Sequence, residues 1–156
     1  MKPLLVDPKR VIPWHPPRFP LKIKRLVQAA QEEKCMRENN PRSLEEELDR
    51  IKRYFNSHHI HYPAHNAPGW QGIPPVPLLK APPDLADLGD YVVYEGHHRT
   101  VAAVQADIFL PAGLVTNDED IDFLIKKRVA NQGNCGRSFI RHGDLVYHMA
   151  RMYLGR

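Results

Sequence analysis

Tyr91-Val92-Val93-Tyr94-Glu95-Gly96-His97-His98-Arg99-Thr100-Val101-Ala102-Ala103 is the stretch that decides how this chain is read. Its first four residues are β-branched or aromatic, which predicts a strand from Asp90 to Glu95, continuous enough in its apolar character to be central in a sheet. Gly96 ends that strand. His97 to Ala106 then reads as a helix, with Val101 and Val104 turned inward and Ala102-Ala103 allowing close packing.

A strand, one glycine and a helix whose first turn is His-His-Arg-Thr form a motif with chemistry. A helix N-terminus exposes unpaired N–H groups and a partial positive charge, which suits phosphate. Glycine at the corner lets the backbone come close to a ligand. Arg99 adds a planar fork for two phosphate oxygens, and it is the single base between residues 84 and 123. His97 and His98 can donate to phosphate or act as acid and base near neutral pH. Glu95 can ligate Mg²⁺ or accept a proton. The plainer alternative is a helix start with two partly exposed histidines and Arg99 paired to Glu95 or Asp90.

Glu95-Gly96-His97-His98-Arg99 resembles the ParB/sulfiredoxin superfamily, whose members place Gly-x-x-Arg after a central strand at the start of a helix rich in small residues. Of its branches, the closest is the Asp-Gly-His-His-Arg form seen in free-serine kinases, here with Glu for Asp. The upstream layout is similar: a Val6-Asp7-Pro8 strand end, an intervening helix, then Pro75-Val76-Pro77-Leu78-Leu79. The resemblance covers roughly residues 4–125. It implies a nucleotide-phosphate site at Gly96, His97, His98, Arg99 and Thr100, with Mg²⁺ and a nucleoside di- or triphosphate (ATP, ADP or CTP), and with Glu95, His97 or His98 as catalytic groups. His97 stands where sulfiredoxins carry cysteine, so sulfinic-acid reduction is not expected. About 30 residues follow the last strand and helix, too few for the DNA-binding and dimerisation segments of ParB partition proteins.

Outward from the motif, prolines divide the chain. Fourteen of the 15 lie between Pro3 and Pro83, so the first half is expected to be loop-rich and the second to carry longer uninterrupted elements. Leu4–Asp7 and Arg10–Trp14 read as short strands clipped by proline. Pro20 suits a first helical turn, and Ile23, Leu26, Val27 and Ala30 predict a basic amphipathic helix over Leu21 to about Arg37. Ser43 with Glu46 forms a capping box for a helix over 44–55, striped by Leu44, Leu48, Ile51 and Phe55. Val76–Lys80 reads as a strand whose prolines confine it to an edge or a start position. Ile108–Leu110 and Gly113–Val115 read as short strands around Pro111. Thr116 with Glu119 is a second capping box, followed by the face Ile121, Leu124, Ile125 and Val129. Asp144 caps a last helix with Leu145, Met149, Met152 and Tyr153 as its apolar side.

A length of 156 residues, 42% of them hydrophobic and 26% charged, fits one α+β domain: a ParB/sulfiredoxin-like core over about 4–125 with a small mixed sheet flanked by helices, and a C-terminal helical extension over about 126–156. No apolar run approaches a membrane span of about 18 residues, and the apolar start at Met1 is too short for a signal peptide. Cys35 and Cys135 lack metal or redox spacing and read as free thiols in a reducing cytoplasm.

Net charge is +4, and it is segregated. Residues 1–34 hold eight bases and three acids, 84–123 hold nine acids and one base, and 124–156 hold seven bases and one acid. The basic runs at Arg10, Arg18, Lys22, Lys24 and Arg25 and at Lys126, Lys127, Arg128, Arg137 and Arg141 either converge on nucleic acid or are solvated helix faces. His58, His59, His61 and His65 lie in a long loop from Asn56 to Gly72. They fit a polar active-site loop better than a dedicated metal site, with Trp70 or Tyr62 available to stack on a base. The functional expectation is therefore a phosphotransferase or NTP hydrolase. The alternative is a DNA-binding ParB-like nuclease, or a partition or mobile-element accessory protein.

Overall fold

The computed structural model describes residues 1–57, 70–124 and 143–156. Strands Lys2–Val6 (β1), Val11–Ile12 (β2), Val76–Lys80 (β3), Tyr91–Val93 (β4) and Leu110–Leu114 (β5) form one sheet in the order β1-β5-β3-β4-β2. β1 runs antiparallel to β5 and β3 antiparallel to β4, whereas β3 with β5 and β2 with β4 are parallel. The sheet is mixed and helices flank it, so the chain is α+β.

The period of two along each strand assigns the two faces. Leu78 and Val93 enter one cluster with Ile23, Leu26 and Ala30 of Pro20–Asn39 (α1) and Ala102, Ala103 and Ala106 of His97–Ala106 (α3). Leu79 and Val92 point the other way. They meet Ile51, Tyr54 and Phe55 of Leu44–Ser57 (α2), Ile121 and Leu124 of helical residues 118–124 (α4), and Val146 and Ala150 of Gly143–Leu154 (α5).

Local chemistry starts each helix. Pro20 occupies the first turn of α1, where its missing N–H costs nothing. Ser43 Oγ accepts from Glu46 N at 3.2 Å, and the acidic first turn of α2 faces its helix dipole favourably. At α4 the cap is Asn117, whose Oδ1 accepts from Asp120 N at 2.9 Å, one residue later than the expected Thr116. Thr116 instead donates from both its N and its Oγ1 to Asp120 Oδ2, at 3.0 Å each.

Four expectations are corrected. β3 lies in the middle of the sheet and not at an edge. Pro77 is tolerated there because it sits at the ladder's end: its carbonyl accepts Tyr94 N at 3.0 Å where β4 turns into the corner. Pro111 does not split its region, since β5 runs through it with Pro111 opposite Leu5. α5 turns Val146 and Ala150 inward, with Tyr147 and Leu154 packed against the same cluster, and leaves Leu145, Met152 and Tyr153 exposed, so its buried face is the stripe 146, 150 and 154. On α3 Val104 is likewise exposed, and the alanines make the contact with α1.

The segregated charges meet in space. Arg10 binds Asp90 through Nε and Nη2 at 3.2 and 3.1 Å. Arg151 forks onto Asp84 at 2.7 and 2.9 Å, and Arg156 onto Asp87 at 2.7 and 2.6 Å. The acidic loop before β4 thus receives arginines from both ends of the chain, and Tyr147 Oη donating to Lys80 O at 2.7 Å further ties α5 down. A second cluster joins α1 to α2. Glu33 Oε1 takes Arg42 at 2.9 Å and lies 3.3 Å from Arg37 Nε, at an angle that makes no hydrogen bond. Arg50 sits 4.2 Å over the Trp70 ring.

Candidate functional site

The corner between β4 and α3 is built around Gly96, whose φ of +112° lies in the left-handed region where a Cβ is strained. A Cβ there would also lie 2.5 Å from Val76 Cγ1 and 3.1 Å from Arg99 Nε and Nη2. The corner is therefore glycine because the Val76 methyl and the Arg99 guanidinium pack directly on its backbone. Gly96 caps α3 without a side chain. Thr100 Oγ1 donates back to Gly96 O at 3.0 Å, parallel to its own backbone N–H, so the hydroxyl turns along the helix.

Arg99 is buried, with 7% exposure, and its Nη1 donates to Pro75 O at 2.6 Å. Among the described residues that is its one hydrogen bond, and no carboxylate lies within ion-pair distance of it. The expected alternative pairing with Asp90 is excluded, because Asp90 is taken by Arg10. Burial lowers the guanidinium's pKa, against the fields of Tyr54 and Glu95, which favour its charge.

Both histidines face an arm formed by residues 13–19. Pro13, Pro16 and Pro17 carry no N–H, and the backbone N–H groups of Trp14, Arg18 and Phe19 all go to imidazoles. Trp14 N donates to His97 Nε2 at 3.1 Å. Arg18 N and Phe19 N donate to His98 Nε2 at 3.1 and 3.2 Å. Accepting at Nε2 places each ring proton on Nδ1. His97 is 4% exposed. It stacks on His15 with centroids 3.5 Å apart and meets the Trp14 ring edge-on at 4.7 Å, while Trp14 Nε1 donates to Val93 O at 2.8 Å. Burial, with smaller contributions from His15 and His98, pushes the His97 pKa down to about 2, so it is neutral. His98 stacks under Phe19 at 5.5 Å. Its pKa is lowered by burial first, then by Lys22, His15 and Arg99.

The structure thus gathers Glu95, Gly96, His97, His98, Arg99 and Thr100 at one corner. It adds Trp14, His15, Phe19, Tyr54 and Pro75, which the motif did not announce. The one sequence signal for the arm was Trp14-His15 set against Pro16-Pro17, an aromatic pair in a segment short of donors. Trp70 meets Tyr54 edge-on at 5.3 Å and donates from Nε1 to Ile73 O at 3.0 Å. His58, His59, His61, Tyr62, His65, Cys135 and the basic run Lys126–Arg141 lie outside the described residues. Cys35 is a free, exposed thiol. Among the described residues no helix is long and apolar enough to cross a membrane, and no group of three or more His, Cys, Asp or Glu could hold a metal ion.

No protein family, curated protein or solved structure matches this chain.

Proposed function

We propose that the Gly96 corner is a nucleotide-phosphate site in a fold of ParB/sulfiredoxin type, serving a phosphotransferase or NTP hydrolase in the cytoplasm. The observation that carries this reading is Arg99. A buried guanidinium with one carbonyl acceptor and no paired carboxylate among the described residues is costly to hold, by several kcal/mol. A phosphate supplies the missing anion, and the uncapped first turn of α3 adds N–H donors and the positive end of its dipole. Glu95 is the carboxylate at the corner and the group suited to ligate Mg²⁺ or to take a proton from an acceptor hydroxyl. With no multi-carboxylate cage among the described residues, Mg²⁺ would be held largely by the substrate's phosphates. His97 and His98 already give their Nε2 lone pairs to backbone donors, so in this arrangement they position the arm.

Calorimetry with ATP, ADP and CTP in the presence of Mg²⁺ tests the site. Arg99→Ala is expected to weaken binding by about 1.5–3 kcal/mol, the range for a charged hydrogen bond. No binding to wild type, or equal binding by the variant, overturns the reading.

A second reading, a DNA-binding ParB-like protein, draws on the start of α1. Arg10, Arg37, Arg42, Arg50, Arg53, Arg151 and Arg156 are paired with acids. Arg18 and Arg25 are exposed and make no such pair among the described residues. DNA affinity that is present at about 50 mM salt and falls steeply with added salt supports this reading; absent or salt-independent binding counts against it.

A further inference from the structure

His97 and His98 are neighbours that do the same job in unequal surroundings. Each accepts backbone N–H groups of the arm at Nε2, His97 from Trp14 and His98 from Arg18 and Phe19. His97 is sealed between Trp14 and His15, whereas His98 is only partly covered. Between the two attachment points stand Pro16 and Pro17, both exposed, which stiffen the arm and separate its halves.

We propose that His98 is a protonation-dependent clasp on the first turn of α1: neutral, its lone pair holds Arg18 N and Phe19 N; protonated, it faces those two donors with a donor of its own, and this end of the arm lets go. The proposal does not rest on the phosphate reading. The electron pair that accepts both bonds is the one that takes the proton, so docking and protonation are mutually exclusive at this atom. The groups acting on His98 from the packed elements are Lys22 on α1, His15 on the arm and Arg99 on α3, with no carboxylate among them. They add repulsion once the ring is charged. Ile23 anchors the first turn of α1 in the core, but the capping of that turn is weak among the described residues. Phe19 caps it without a side-chain bond, its first turn holds no acid, and Lys22, Lys24 and Arg25 lie near the positive end of its dipole. His97, held neutral by burial, keeps Trp14 attached over the same pH range. Acid therefore opens one half of the arm and exposes the face of α3 that His98 presents.

Amide hydrogen exchange on the full chain tests this, with rates corrected for intrinsic pH dependence. Between pH 7.5 and pH 4.5 the protection of Arg18 and Phe19 in wild type is expected to fall at least tenfold, while Trp14 and the α1 core residue Ala30 keep theirs. His98→Gln, which keeps an acceptor that does not titrate, should hold the protection at both values. His98→Ala should lack it at both. Protection of Arg18 and Phe19 that is indifferent to pH in wild type, or that is lost in His98→Gln as in wild type, overturns the proposal. So does a loss shared equally by Ala30, which is global unfolding. The comparison of wild type with His98→Gln decides the matter even where His98→Ala does not fold.

Discussion

His97 Nε2 accepts the backbone N–H of Trp14 at 3.1 Å, across 83 residues of chain. The bond holds the arm against the corner, and it exists only while His97 is neutral. In the folded protein that ring's pKa is down to about 2, chiefly through burial, against about 6.5 when unfolded. The unfolded chain takes a proton that the folded chain refuses. The stability that depends on keeping this buried ring neutral is therefore complete above about pH 6.5 and declines as the pH falls toward 2, by about 1.4 kcal/mol per unit. Urea unfolding at stepped pH should show that slope, and His97→Gln should remove about one proton's worth of it. An unchanged slope in the variant would place the acid sensitivity elsewhere.

Gly96→Ala puts a methyl where φ is +112°, 2.5 Å from Val76 Cγ1 and 3.1 Å from the Arg99 fork. The backbone conformation alone costs about 1–2 kcal/mol, and Val76, wholly buried, cannot move aside cheaply. A loss of at least about 2–4 kcal/mol is expected by thermal or denaturant unfolding. A loss below 1 kcal/mol would mean that the corner relaxes to a different backbone path.

Much of this corner could be read from local sequence. β3 at Val76–Lys80 and α3 at His97–Ala106 have the bounds that their residues predict, because β-branched runs, proline breaks and a glycine stop act within a few residues. What local sequence did not contain is pairing. The central position of β3 depends on β5, some thirty residues later, and Pro77 looks like an edge residue until Tyr94 is seen to end the ladder beside it. The arm is the same problem at longer range, since nothing near His97 or His98 names Trp14 or Phe19 as the donors. On α5, hydropathy points to Leu145, Met152 and Tyr153, yet Val146 and Ala150 are buried with Leu154 packed beside them, because which apolar stripe is covered depends on where the helix docks and not on its own residues.

Gly113 offers a test of how tightly α2 packs on the sheet. A Cβ there would meet Phe55 Cε2 at 2.6 Å and Cζ at 3.0 Å. Gly113 lies on β5 opposite both Pro3 and Pro77, so the strand cannot withdraw without disturbing two ladders. Gly113→Ala should cost about 1–3 kcal/mol by overpacking. Phe55→Leu in the same background should recover part of it, since the facing ring is what the methyl strikes. Additive losses in the double variant would show that the strain lies in the backbone and not in this contact.

Arg99→Met separates what the corner does for the fold from what it does for a ligand. The substitution keeps a long unbranched chain against Gly96 and Val76 but removes the charge. Pro75 O loses its 2.6 Å donor, which costs about 1–3 kcal/mol. Against that, a buried guanidinium without a paired carboxylate among the described residues no longer has to be desolvated, a relief of comparable or larger size. The variant is therefore expected to unfold within about 1 kcal/mol of wild type, or above it, while its affinity for a nucleotide with Mg²⁺ falls at least tenfold by calorimetry. Stability held and binding lost is the signature of a charge placed for a ligand. Stability lost by several kcal/mol with binding untouched is the signature of a strut between α3 and the start of β3, and it would remove the main support for a phosphate at this corner.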